Sequence, residues 1–572
     1  MNARPDHRPG IGKPTFVDLF TPKLVTILRE GYGRGDFRAD ALAGLTVAIV
    51  ALPLSMAIAV ASGTTPDRGL YTAIIGGFLV SALGGSRFQI GGPAGAFIVL
   101  VAATIERQGL DGLFLATLMA GAILLAVGFL RLGTYIKFIP YPVTVGFTAG
   151  IAVIIAASQI KDLFGLTLDG KEPGALIPKF EVLAAAAPTV NGAAAAIGVL
   201  SVGIIVLLRR LRPAWPGLLI AVAAAAAVTW LFALPVETIG TRFGDIPRTL
   251  PWPALPPLSW AKAQAVLPDA VAFALLGAIE SLLSAVVADG MTGRRHRSNC
   301  ELVSQGAANI GSALFGGICV TGTIARTATN VRAGAHGPVA GMLHALFLLL
   351  FILVAAPLAR FIPLAALAAV LLVVAWNMAE KHAFWSLLRI SWGDALVLMA
   401  TFLLTVFRDL TEGIVIGFAI GAVLFIKRMA DATGVEEHAP LVAQDQADAD
   451  DARTPYDVDL ATDRDVVVYR ITGAFFFAAA STVGAVLDQI AERRKVFVVD
   501  FSAVPFIDST AAHTIDGLAR KAARHGVRLF LTGLTPALRR ELLGHGLRPP
   551  RVHYRSSIAA ALAAARKARA VT

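Results

Sequence analysis

Two charged side chains stand inside apolar runs of this chain, and both are of types that can do chemistry there. Arg326 lies one turn beyond a glycine break, in Gly316-Gly317-Ile318-Cys319-Val320-Thr321-Gly322-Thr323-Ile324-Ala325-Arg326-Thr327. A guanidinium at membrane depth costs about 2.5–3.5 kcal/mol even on insertion scales, so its retention calls for a role. The functional role is to hold an anion; the structural one is to satisfy carbonyls at the helix break or to pair with Glu280. Glu280 sits mid-run in Ala278-Ile279-Glu280-Ser281-Leu282-Leu283-Ser284. A lone carboxylate in apolar surroundings suits proton uptake unless a cation holds it charged. Ser284, four residues on, shares its helix face and offers an oxygen to sodium or to a hydrogen bond. His344 reads as a packed histidine and Asn330 as a hydrogen bond between helices.

A second broken stretch, Gln89-Ile90-Gly91-Gly92-Pro93-Ala94-Gly95-Ala96-Phe97, matches the first in kind. Each opens on residues that do not sit easily in mid-helix and runs into helix formers. In a membrane protein that pattern marks a half-helix starting at membrane depth, with free N–H groups and a positive dipole end facing a ligand. The glycines do not form a nucleotide loop, because the Gly-Lys-Ser/Thr ending is missing. There is no His/Cys metal spacing, no nucleophile elbow and no Walker motif, so neither an enzyme nor an ATP-driven pump is expected, and no cofactor.

The elements that position these residues follow from composition. Of 572 residues, 56% are hydrophobic and 16% charged, against about 25% charged in an average soluble domain. The apolar residues come in repeated runs of bilayer-spanning length, so the chain is a polytopic α-helical membrane protein. The net charge of +11 fits positive-inside topology rather than nucleic acid as a partner. Cys300 and Cys319 are too few for a disulfide framework and read as packing residues. Residues 1–39 form a cytoplasmic segment without a signal-peptide core, in which 15–35 is expected to be an amphipathic surface helix.

Seven spans are expected near 40–62, 69–84, 89–105, 111–131, 140–160, 191–208 and 217–234. After an external connection at 235–266, seven more fall near 268–287, 301–315, 322–333, 337–359, 362–378, 394–410 and 412–427. The first transmembrane repeat is thus 40–234 and the second 267–430. Asp40 and Asp269 lead equivalent spans, 269 − 40 = 229 apart, and Pro93 and Gly322 mark equivalent breaks, 322 − 93 = 229 apart. Seven spans per unit is an odd number, so the second copy is inverted. Basic loops at Arg131–Lys137, Arg209-Arg210-Leu211-Arg212, Arg294-Arg295-His296-Arg297 and Lys427-Arg428 place both termini in the cytoplasm. An acidic linker, 431–464, leads to a small α/β domain at 465–572, with strands at Val466–Ile471, Val496–Asp500 and Val527–Leu531. Helices are expected at Ala480–Ala491, from Asp508-Ser509-Thr510 to about His525, and from Pro536.

The chain resembles the SulP-type anion transporters, which include bacterial sulfate permeases and relatives of the animal sulfate and chloride/bicarbonate exchangers and of prestin. The residues that carry the resemblance are Ala51-Leu52-Pro53-Leu54-Ser55-Met56-Ala57, Gln89 to Ala96, Phe138-Ile139-Pro140-Tyr141-Pro142-Val143, Gly146-Phe147-Thr148-Ala149-Gly150 and Thr321 to Asn330. The terminal α/β module, similar to a STAS domain, completes the set. The resemblance implies a 7+7 inverted repeat with core and gate domains, a homodimer in the bacterial inner membrane, and elevator-type alternating access. It also implies an anion between the starts of spans three and ten, held by Leu54, Ile58, Pro93, Ala94, Gly95, Thr323, Ile324, Ala325 and Arg326. A coupling ion would fall on Glu280 and Ser284. Leu54 departs from the Gln that many relatives carry, which removes one donor to the anion. Glu280 in place of a sodium-binding Asp favours a proton over sodium. Thr510 aligns with the phosphorylated position of stand-alone STAS relatives, as a candidate regulatory phosphosite, or else simply caps its helix.

The expectation is secondary transport of a small inorganic or organic anion (sulfate, a C4-dicarboxylate or bicarbonate) across a lipid bilayer by proton symport. The alternatives are sodium-coupled bicarbonate uptake, a nucleobase permease of the same membrane fold, and a sensor in which transport is vestigial.

Overall fold

Apolar runs of this length become helices because only a helix meets all its own backbone hydrogen bonds where water is absent. The computed structural model describes residues 15–134, 140–170, 172–212, 215–408, 410–432, 466–472, 475 and 496–569. Among these, seven helices are long and apolar enough to cross a membrane: Arg34–Ala61, Gly95–Phe129, Tyr141–Phe164, Gly192–Leu211, Trp260–Thr292, Val339–Phe361 and Leu364–Ile390. Gly217–Leu231, Trp392–Phe407 and Leu410–Phe425 are shorter apolar helices. The remaining expected spans are interrupted or polar. The second is Pro66–Tyr71, a π-helical turn Thr72–Gly76 and Gly77–Leu83; the ninth is Ser298–Leu314; the tenth is Ile324–Arg332.

Several boundaries differ from expectation. Within the stretch Ile98–Phe129 the third and fourth spans meet at Gly109, between the expected 89–105 and 111–131. There φ is 71°, a backbone setting that glycine accepts and L side chains resist. The eighth span starts at Trp260, inside the expected 235–266 connection, on a helix capped by the Ser259 hydroxyl. The amphipathic segment is two short helices, Phe16–Phe20 and Lys23–Glu30, and it is tied to the bundle. Arg297 donates to Thr21 O and Thr26 Oγ1, both at 2.9 Å, and Arg87 meets Glu30 at 2.6 Å.

The chain divides into two compact units. The first comprises Met1–Ile136, Thr148–Ala379 and Leu404–Thr411. Small residues let its helices touch backbone to backbone. A methyl group on Gly121 would lie 2.7 Å from Gly306 O, and one on Gly306 would lie 2.7 Å from Gly121 O. The repeat landmarks recur as equivalent contacts. Asp40 accepts the backbone N–H of His336 at 2.6 Å, and Asp269 accepts Arg107 at 2.6 Å. The two partners are themselves separated by the repeat offset, 336 − 107 = 229. Each aspartate therefore holds the corresponding loop of the other repeat.

The second unit comprises Lys137–Phe147, Glu380–Leu403 and Glu412–Thr572. Its sheet is wholly parallel, in the order Val466–Thr472, Val496–Ala503, Arg528–Thr532, His553–Tyr554. A parallel sheet must be covered on both faces, and the central strand shows it. Phe497, Val499 and Phe501 pack with Ile515, Leu518 and Leu538, while Val496 and Val498 pack with Ala561 and Ala565. The expected helices from Ser509 and Pro536 are present, as Ser509–Arg524 and Pro536–Gly544. The terminal helix Ile558–Arg569 was not anticipated. The expected helix Ala480–Ala491, and all but the first two residues of the 431–464 linker, lie outside the described residues.

Asp508, not Thr510, caps the first of these helices, its carboxylate accepting from Ala511 N at 2.8 Å. Thr510 Oγ1 instead accepts from Tyr141 N at 3.4 Å. Tyr141 stacks on His513 with ring centroids 5.2 Å apart, and Ser509 Oγ donates to Asp394. Beside these contacts, Glu541 is held up at about 7, first by burial and then by the charges of Asp394 and Asp508, with Arg428 opposing. A carboxyl raised from its ordinary 4.5 favours the folded state most when protonated, and that contribution fades as pH rises from about 4.5 to about 7. The Glu541→Gln variant removes the fading term. Its thermal midpoint is expected to match that of the unaltered chain near pH 5 and to exceed it at pH 8, with the gap opening between. A gap that does not change with pH in scanning calorimetry of the full chain would refute this assignment.

Candidate functional site

The two broken stretches meet. Gly91-Gly92 and Thr321-Gly322 form a two-residue antiparallel pair, Gly91 opposite Gly322 and Gly92 opposite Thr321. Since 321 − 92 = 229, Gly92 and Thr321 are equivalent under the repeat and pair with one another, as a two-fold axis through that pair requires. The segments can approach this closely only because they lack side chains. A methyl group on Gly322 would lie 1.7 Å from Gln89 Nε2, and one on Gly92 would lie 1.9 Å from Arg326 Nη1.

Helices leave from both strands. On one side Ala94 precedes the 3-10 turn Gly95–Phe97 and the helix from Ile98; on the other Thr323 precedes Ile324–Arg332. Neither start has a side-chain cap, and Thr323 Oγ1 is buried without a protein partner. The first N–H groups of each helix are orphan donors carrying the positive end of the dipole.

Arg326 is 1% exposed. Its Nη2 donates to Ser55 Oγ at 3.2 Å and to Pro93 O at 3.1 Å, but Nε and Nη1 have no protein partner. Glu280 Oε2 is likewise buried and unpartnered. No ion pair within 4 Å joins Glu280 to Arg326 among the described residues, so the structural alternative of a salt bridge is not formed. Ser284 Oγ donates to Thr327 Oγ1 at 3.0 Å, and Thr327 Oγ1 accepts from Ile90 N at 3.2 Å. The face that Ser284 shares with Glu280 is thereby tied to the broken stretch.

Around this centre Leu54, Ile58, Pro93, Ala94 and Thr323 are buried, Gly95 and Ile324 half-buried, and Ala325 exposed. Within the first span the residue that reaches Arg326 is Ser55, between Leu54 and Ile58 and absent from the expected set. A methyl on Gly95 would face Ile155 Cδ1 at 3.2 Å. Asn330 does not join two helices as expected; it donates to Phe88 O at 2.9 Å, in the non-helical segment just ahead of the first broken stretch.

A supporting layer was not anticipated. Gln89 Nε2 donates to Ser281 Oγ at 2.8 Å. Glu301, wholly buried, accepts from Gly85 N, Ser86 N and Gln305 Nε2 at 3.0, 3.1 and 2.9 Å. Five polar residues in the run Ser298–Gln305 were the available signal. Thr510 belongs to the second unit, and its contacts are those given above.

The chemistry of the site is therefore donor-rich and cationic. It joins a buried guanidinium with spare hydrogen-bonding capacity to two uncapped helix starts. Residues 37–401 match the model of the Sulfate permease family, and residues 457–557 match the STAS domain. The YvdB protein of Bacillus subtilis is 39% identical over 509 residues, 88% of this chain and 93% of that one. The transmembrane domain of a cyanobacterial bicarbonate transporter, BicA, superposes with a TM-score of 0.61 at 32% identity, covering 67% of this chain and 98% of that one. The fold of the murine anion transporter Slc26a9 in its inward-facing state matches with a TM-score of 0.66 at 19% identity, over 98% of this chain and 96% of that one. The chain belongs to the sulfate permease family, a family of multi-pass membrane anion transporters, and carries a STAS domain after its membrane part.

Proposed function

We propose that the chain moves a small oxyanion in symport with a proton, with the anion seated on Arg326 between the two helix starts. The observation that carries this reading is the state of Arg326: nearly fully buried, with two of its three guanidinium nitrogens unmet by protein. A buried cation without a partner is unfavourable by several kcal/mol, and an anion placed there offsets it. The orphan N–H groups of Gly95, Ala96, Ile324 and Ala325 would share the charge. Sulfate, a C4-dicarboxylate and bicarbonate all fit that chemistry. Relatives described as sulfate and bicarbonate transporters support the first and last of these.

Glu280 is the proton carrier in this proposal. Its carboxylate is held apart from Arg326, so it is free to gain and lose a proton between transport states. The Ser284 hydroxyl, which would be needed as a sodium ligand, is engaged with Thr327. The fold supports an elevator-type movement of a core domain against a gate domain. A homodimer in the inner membrane, with both termini cytoplasmic, belongs to the same proposal.

Uptake of labelled sulfate, fumarate and bicarbonate into proteoliposomes, with and without an imposed pH or sodium gradient, tests the reading; movement of uracil but of no anion would end it. Arg326→Ala is expected to weaken anion affinity at least thirty-fold, about 2 kcal/mol, without loss of folded protein. Unchanged affinity removes Arg326 from the pocket. Glu280→Gln is expected to keep anion binding and lose the acceleration by a pH gradient; if the full gradient response survives, Glu280 does not carry the proton.

A further inference from the structure

We propose that His344 is a second proton site, filled when a dianion occupies the pocket, so that the site is suited to divalent oxyanions. The inference rests on the reading of Arg326 as the anion's partner. His344 lies on the eleventh span, Val339–Ala355, is fully buried, and has no protein partner at either ring nitrogen. Buried polar side chains are nearly always hydrogen-bonded, and an unmet buried group costs about 1–3 kcal/mol. A ring with both nitrogens unmet therefore needs a reason.

Its position supplies one. A methyl placed on Gly77 would lie 3.8 Å from His344 Cε1 and 2.9 Å from Gly91 O, while one placed on Gly92 would lie 1.9 Å from Arg326 Nη1 and 3.7 Å from Ala73 Cα. The imidazole and the guanidinium thus flank successive residues of one short strand. The π-helical turn Thr72–Gly76 of the second span runs beside both, and such turns recur at functional sites. The charged group facing the ring is Arg326, from the tenth span. The first span meets the eleventh at Gly44, the second span meets the ring at Gly77, and the Gly341 carbonyl of its own helix lies beside it; none of these is ionisable.

Charge balance then distinguishes substrates. Arg326 neutralises a monoanion. A dianion leaves one negative charge uncompensated in surroundings of low polarisability, where it is costly. A proton on His344 removes that charge. A seated dianion brings negative charge to the Arg326 side of the ring, and a proton on the ring then has a counter-charge. Proton and dianion therefore bind with positive coupling, each raising the affinity of the other.

The test compares KM for sulfate, a dianion across the range used, with KM for bicarbonate, its concentration corrected for CO2 at each pH, from pH 6 to 8, in proteoliposomes of the full chain. Any proton on Glu280 affects both anions alike. The expected result is a sulfate KM that rises more steeply with pH than the bicarbonate KM, by up to about tenfold per pH unit. In His344→Gln the two slopes become equal, and sulfate KM at pH 6 rises roughly tenfold while bicarbonate uptake is kept. Equal slopes in the unaltered chain overturn the proposal without recourse to any variant, as does uptake of bicarbonate alone. Equal loss of both anions in His344→Gln makes the residue structural and also overturns it. If neither anion moves, the anion reading itself falls, a result distinct from the others.

Discussion

A helix that begins inside a bilayer exposes backbone groups to a medium that cannot hydrogen-bond them, and this chain contains two such starts. The pairing of Gly91-Gly92 with Thr321-Gly322 is the arrangement that makes them possible. It satisfies the backbone just ahead of each helix, so only the first N–H groups remain free, and those point where a ligand can use them. The pairing also dictates composition. Bulk at Gly92 or Gly322 would run into Arg326 or Gln89. The same crossing that creates the donors therefore holds the guanidinium against them.

The surrounding polar layer serves that crossing rather than the ligand. Gln89, Ser281, Glu301 and Gln305 form a chain of buried hydrogen bonds from the first broken stretch to the ninth span. Glu301 is fully buried like Arg326, but its oxygens are met by two backbone N–H groups and two side chains. A connected network in a low-dielectric interior holds its members in place, which suits a frame that must hold two helix starts in fixed register. Ser284 and Thr327 extend it toward Glu280.

What could be read from the sequence depended on whether a residue's meaning was local. Glycine and proline breaks, a lone Arg and a lone Glu in apolar runs, and a repeat offset are properties of the chain itself, and they located both strands, Arg326 and Glu280. The offset held at a level not foreseen, since the partners of Asp40 and Asp269 obey it too. Ser55 and Thr327 are ordinary hydroxyls in helices, and only the fold shows that one reaches Arg326 and the other ties Ser284 to Ile90. Glu301 sat at the polar edge of an expected span, where hydropathy treats a carboxylate as solvent-facing. The conformation at Gly109, between spans three and four, was not legible because a single glycine signals a break without giving its angle. The short edge strand His553–Tyr554 has too few residues to show an alternation.

The distribution of satisfaction is itself informative. Asp40 and Asp269, at equivalent places near the span ends, each have their charges met by the opposite repeat. At the centre of the same symmetric frame the accounts are left open: Arg326 keeps two free nitrogens, Glu280 a free oxygen, Thr323 a free hydroxyl and His344 a free ring. A sequence selected only for stability would close Glu280 onto Arg326, because an unpaired buried charge is among the costliest features a fold can carry. Keeping them apart trades stability for the capacity to bind. These unmet groups are of two kinds, donors that suit an anion and bases that suit a proton. In the proposed reading, a pocket that is largely apolar at Leu54, Ala94 and Ala325 selects for charge through these few groups, whose hydrogen bonds the protein itself does not complete.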